Sequence, residues 1–143
     1  MKTGFVVLLF AFTLQGCAHR KHTSLEAEPI PVALTIPDLS SLRPVGNVNI
    51  KSVLITGNQI TLLVTYSGGN EEHTFLLYGA EKIEDGDPRS RKMMLFHDSK
   101  KDDGRELIEE AIVFDISLLG IPGEELILIL EGFDGALTYK RKN

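Results

Sequence analysis

Two apolar runs, separated by a single Gly-Asn pair, constrain this chain more than any other feature. Val48, Ile50, Val53 and Ile55 precede Gly57-Asn58, and Ile60, Leu62, Val64 and Tyr66 follow it, alternating with Thr61, Leu63 and Thr65. A period of two places one set of side chains on a buried face and the other in solvent, which is the pattern of a half-buried strand. Gly-Asn between two such runs suits the positive φ angles of a tight hairpin turn. The first two strands are therefore predicted to be antiparallel neighbours.

The same reading continues down the chain. Ser67-Gly68-Gly69-Asn70 breaks the second run, and Glu72 to Tyr78 is predicted as a third strand, with His73, Phe75 and Leu77 sharing one face. Asp85-Gly86-Asp87-Pro88 is a loop signal, followed by a fourth strand from Lys92 to His97. A fifth is expected from Glu109 to Ser117. Leu126 to Leu130 is apolar without interruption, which predicts a strand covered on both sides, and Asp134-Gly135 marks a last hairpin into Ala136 to Tyr139. Seven short strands in about a hundred residues predict an all-β fold, an immunoglobulin-like antiparallel β-sandwich, with a small antiparallel barrel as the alternative. Residues 46–143 are enough for one such core and too few for two.

The first forty-five residues have a different character. Lys2 is followed by the apolar run Phe5 to Phe12, and then by Leu14-Gln15-Gly16-Cys17. A spanning helix needs about 20 apolar residues, and Thr13, Gln15 and Gly16 interrupt this run before that length. The tetrad resembles the lipobox of bacterial lipoproteins. That resemblance implies cleavage between Gly16 and Cys17, removal of 1–16 as a signal peptide, and lipid on the Cys17 thiol and on the new amino group. An uncleaved signal anchor and an ordinary secretory peptide are the alternatives. Cys17 is the only cysteine, as suits a thiol with no intramolecular partner. One acyl chain binds a bilayer only marginally, whereas two or three make attachment effectively permanent. Ala18, rather than an aspartate, follows the cysteine, which by resemblance to sorting in diderm bacteria favours the outer membrane.

Residues 17–45 carry Arg20, Lys21, Pro29, Pro31, Pro37 and Pro44, with no sustained periodicity. Proline fixes φ and removes a donor, so the segment reads as a tether, with Val32 to Ile36 able to pair as an edge strand at the entrance to the domain. Loss of Lys2 with the leader reduces the 15 basic residues to 14 against 20 acidic ones, a formal charge of −6. That balance argues against nucleic acid as a partner and against electrostatic adhesion of the chain as a whole to anionic lipid. The partners implied are the membrane, through lipid on Cys17, and another envelope protein.

A second resemblance rests on residues of the β-region. Tyr66-Ser67-Gly68-Gly69, then His73-Thr74-Phe75, His97-Asp98 and Asp102-Asp103-Gly104 are similar to a pattern found in a group of small uncharacterised bacterial lipoproteins. No activity comes with the resemblance. Members of the group carry cysteines where this chain has Asn70 and Gly104. The resemblance therefore implies that these two positions lie close in space, within the about 7 Å between Cα atoms that a disulfide allows.

Few residues suggest chemistry. His73 and His97 are the only histidines of the β-region, and with Asp98, Asp102 and Asp103 they are the candidate metal ligands, although their spacing matches no compact zinc motif or EF-hand loop. A hydrogen-bonded, partly buried His73 is the plainer reading. Ser67-Gly68-Gly69 lacks the context of a nucleophile elbow, and Glu109-Glu110 and Glu124-Glu125 each point to opposite faces of a strand. The expectation is a non-enzymatic envelope module without cofactor or resident metal. The alternative is a metal-dependent or hydrolytic enzyme using His73, His97 and Asp98, which requires the two imidazoles to converge in a concave pocket.

Overall fold

The computed structural model describes residues 29–142. The leader, its cleavage point at Gly16 and Cys17, the lipid site and Arg20-Lys21 lie outside the described residues. Among the described residues eight strands form two open sheets: β1 (Leu34–Ile36), β2 (Val48–Thr56), β3 (Gln59–Gly68), β4 (Thr74–Ala80), β5 (Arg89–Asp98), β6 (Glu106–Asp115), β7 (Glu125–Leu130) and β8 (Ala136–Lys140). One sheet has the order β1-β4-β5-β7-β8 and the other β2-β3-β6. Their inner faces pack together as a β-sandwich. Two 3-10 turns, Leu39–Ser41 and Ser117–Leu119, complete the elements. Among the described residues no helix is long and apolar enough to cross a membrane.

The Gly57-Asn58 hairpin forms as the sequence predicts, with Thr56 opposite Gln59 and Gly57 at φ +63°. The alternation of β3 puts Ile60, Leu62 and Val64 wholly inside, between inner residues of β2 and β6. Each such aliphatic side chain contributes about 1.5–3 kcal/mol relative to exposure. The opposing sheet supplies Leu77, Met93, Leu95, Leu128, Leu130 and Tyr139 to the same core. Asn58 ties the turn to the rest of the domain. Its backbone carbonyl accepts from Ile116 N at 2.8 Å, and its side-chain oxygen accepts from Tyr139 Oη at 3.0 Å and Lys142 N at 2.8 Å.

Three features differ from the sequence expectations. Two pairings, β1 with β4 and β5 with β7, are parallel, so the larger sheet is mixed. β7 is covered on one side only. Leu126, Leu128 and Leu130 face the core while Ile129 remains 40% exposed, because no further layer lies outside this sheet. The domain also begins before residue 46. Ala33 N donates to Asp115 O at 2.8 Å and Asp115 N to Pro31 O at 2.9 Å, after which the chain crosses to the other sheet as β1, an edge strand. Ala33 is fully buried at this crossing. Val45 is then fixed beside β5, its N–H donating to His97 O at 2.8 Å while its carbonyl accepts from Ser99 N at 2.6 Å. These bonds satisfy donors and acceptors on both sides of the prolines, so this part of the expected tether is ordered into the sandwich.

Candidate functional site

The end of the sandwich opposite Asn58 holds a sealed polar cluster built around Asp102. After β3 the chain turns at Gly69, whose φ of +126° few side chains tolerate. The turn aims successive N–H groups of Gly69, Asn70 and Glu71 at Asp102 Oδ2, at 2.9, 3.1 and 3.0 Å. His73 Nε2 reaches the same oxygen at 3.1 Å, and Gly104 N donates to Oδ1 at 2.7 Å. Converging backbone amides of this kind form an anion-holding nest. The Gly104 amide is the largest influence holding the Asp102 carboxyl well below the usual carboxylate range, with the Glu71 amide, His73 and the Asn70 amide adding to it and burial opposing. No part of the Asp102 side chain is exposed.

His73 continues the cluster inward. Its Nδ1 lies 2.8 Å from His97 Nε2, and both rings are almost completely buried. Phe75 stacks on His97 at 4.6 Å with the ring planes 4° apart, and Tyr66 covers His73 at 4.6 Å. Tyr66 Oη donates to Glu110 Oε2 at 2.7 Å, and burial, reinforced by that carboxylate, raises the phenol to about 12. A carboxylate only accepts, so Asp102 fixes a proton on His73 Nε2, and with neutral rings the proton between the imidazoles belongs to His97 Nε2. That leaves His97 Nδ1 as an unprotonated acceptor with no hydrogen-bond partner among the described residues. Gly46 lies beside it. Its backbone favours the protonated ring without closing a bond of ordinary geometry, whereas burial and then His73 hold the His97 pKa down.

The structure thus brings together His73 and His97, and joins them to Asp102 rather than to Asp98. Neighbours on a strand face opposite ways, and Asp98 turns outward to accept from Lys100 N at 2.8 Å. Asp103 is occupied by Asn70 Nδ2 at 2.9 Å. The acidic residues of this loop therefore do not converge on a cation. Among the described residues no group of three histidine, cysteine or acidic side chains has the geometry to hold a metal. The nitrogens of the two imidazoles face each other at hydrogen-bond distance, which leaves no space between them for an ion.

What the cluster does mechanically is join the loop after β3 to the loop before β6. Asp102 makes that connection with four hydrogen bonds, from Gly69, Asn70, Glu71 and His73, while a fifth, from Gly104 N, sets its own loop, and no covalent link is involved. Gly104 packs so tightly that a Cβ there would run into the Gly68 carbonyl, so a cysteine fits at 104 only if that backbone moves. Asp102 as the centre of a brace was not anticipated from the sequence. The available signal was Gly68-Gly69 and Asp102-Asp103-Gly104, two loops with glycine at tight turns.

An open concavity lies elsewhere. A groove of about 990 Å³ runs between the first 3-10 segment, the start of β2 and the larger sheet, lined by Pro37, Leu42, Val48, Ile50, Met94 and Ile129 among others. Gly46 borders it and separates it from His97.

Fold and cluster together define a small all-β sandwich braced by a buried carboxylate–imidazole–imidazole chain. No protein-family model and no curated protein matches the chain. Among solved structures it is similar to a NigD-like immunity protein from Bacteroides caccae, at 14% identity and a TM-score of 0.58, over 77% of this chain and 58% of that one. A toxin-related protein from Parabacteroides distasonis (15% identity, TM-score 0.49, 76% and 59% covered) and a protein of unknown function from Bacteroides vulgatus (15%, 0.48, 77% and 56%) also align. The chain spans less than three fifths of each of these neighbours. The first likeness shows a shared β fold.

Proposed function

We propose that this protein is a lipid-anchored component of the bacterial cell envelope, held in the outer membrane through Cys17, whose sandwich is a non-enzymatic binding or structural module. The observation that carries the module reading is the fate of the domain's two histidines. Both are sealed from solvent and spent on holding loops together through Asp102. A general base must reach a substrate, and neither ring does. The structural neighbour from Bacteroides caccae is named as an immunity protein, not for a catalytic activity, which fits the same reading. The anchoring half rests on the Leu14–Cys17 tetrad and the short apolar run before it.

Mass spectrometry of the mature N-terminus, with membrane fractionation of wild type and Cys17→Ser, tests the anchor. Lipid on Cys17 and release of the serine variant from the membrane are expected; an unmodified terminus or unchanged fractionation overturns it. In-cell crosslinking to an envelope protein tests the module. The convergence of the imidazoles is the one observation favouring a metal-dependent or hydrolytic enzyme. Stoichiometric metal in the purified protein, lost on His73→Gln, would establish that rival.

A further inference from the structure

Among the described residues, eight large apolar side chains are exposed; Val32, which bridges to Asp115, Leu34 in β1 and Leu118 in the adjoining 3-10 turn stand at one end of the sandwich, with Ile30 just before them in the chain. Ile30, Val32 and Leu34 flank the crossing at which Ala33 alone is buried, and each is exposed. Leu118 belongs to the second 3-10 turn, which packs beside β1. Scattered exposed leucines need no explanation, but a contiguous patch does.

Although the chain as a whole is acidic, Arg141 and Lys142 bring positive charge to the same end, whereas Lys140 stands opposite Glu125 across the β7–β8 pair. Lys140, Arg141 and Lys142 close the described chain. Arg141 lies against Gly120, two residues beyond Leu118, and Lys142 is tied to Asn58, which also holds Ile116. The nearby Asp115 carboxylate partly offsets Arg141 and is itself engaged with Ser117 N at 2.7 Å.

The chain also enters the domain here. Ile30 is 13 residues beyond Cys17, a reach of at most about 45 Å of backbone. An apolar strip with a cationic rim is the composition that settles into the interface of an anionic bilayer.

We propose that the end bearing Ile30, Val32, Leu34 and Leu118, rimmed by Arg141 and Lys142, rests on the lipid surface to which Cys17 is anchored. This rests on the lipoprotein reading above. It orients the domain, with the Asp102 brace at the opposite end directed away from the membrane.

The chain contains no tryptophan, so Leu34→Trp is a sole reporter, with Leu118→Trp as a second. Leu107→Trp, exposed at the far end of β6, is the control. The mature lipidated protein, beginning at Cys17, is reconstituted in phosphatidylethanolamine–phosphatidylglycerol vesicles carrying brominated acyl chains. Emission from the two reporters should fall by roughly half while that of the control is unchanged, since an interfacial surface sits within quenching depth. Replacing Arg141 and Lys142 by Glu should weaken the quench. Equal quenching at all three positions overturns the proposal. So does a blue shift of Leu34→Trp that grows with protein concentration in lipid-free detergent, which would assign the patch to a second copy. Mass spectrometry of each preparation separates the two levels. Lipid-bearing protein with unquenched reporters removes the docking alone, and a Cys17 without lipid removes the anchor and the docking together.

Discussion

His73 Nδ1 and His97 Nε2 face each other at 2.8 Å inside the sandwich, so the loop after β3 and the inner face of β5 are joined through a single shared proton. Asp102 fixes which ring nitrogen carries the outer proton, and Phe75 and Tyr66 wall the pair from water. Stability, more than chemistry, should report on this arrangement.

Asp102→Asn is nearly isosteric but removes the charge that five donors serve. Its Tm should fall by about 10 °C or more, because hydrogen bonds to an ionised group are the strong ones and the amide turns one acceptor into a donor. The pH dependence has a definite sign. The folded-state pKa of Asp102 is depressed, so its contribution is complete above its ordinary value of 3.8 and is lost as pH falls below that. Denaturant titrations should show wild type losing stability over that acid range and Asp102→Asn losing less.

His97 titrates in a separate window. Burial, followed by the neighbouring His73, lowers its pKa from 6.5, so the unfolded chain takes up the proton more readily than the folded one. Its contribution is therefore present above pH 6.5 and declines as pH falls below it. NMR of the imidazole carbons should find the His97 ring protonating below 6.5, and His97→Gln should flatten the fall in stability just below that pH. A normal titration of that ring would contradict the sealed geometry.

Gly46 holds φ at +125°, and a Cβ there would sit 3.0 Å from His97 Cε1, His97 Nδ1 and Ser99 Cβ. Gly46→Ala combines a strained backbone with crowding of a buried ring and should cost about 1–3 kcal/mol. Thermal melts measure this. A compensating shift of His97 would appear as altered ring resonances.

At the other end of the domain, Asn58→Ala removes the side-chain bonds to Tyr139 and to both backbone groups of Lys142. About 1–3 kcal/mol should be lost, mainly from leaving the buried Tyr139 hydroxyl without its acceptor. Hydrogen exchange should rise first at β8, whose end those bonds secure.

Much of the fold was legible because it is local. Gly57-Asn58 and Asp134-Gly135 join antiparallel neighbours, and alternation in β3 located Ile60, Leu62 and Val64 correctly inside. Leu126 to Leu130 misled, since a continuous apolar run does not reveal whether a second layer will cover it. The prolines of residues 29–45 misled differently. Pro31 contributes only its carbonyl and Pro37 follows the last residue of β1, so neither interrupts a bond that the edge strand needs.

The sequence by itself determined an all-β domain with its hairpins and inward-facing residues, because periodicity and turn chemistry act over a few neighbouring residues. Only the tertiary structure decided that β1 and β7 pair in parallel with distant strands, and that Asp102, about thirty residues from the loop it holds, completes the His73–His97 pair. Those choices depend on long-range burial and on where backbone amides converge. Neither quantity exists until the two sheets have come together.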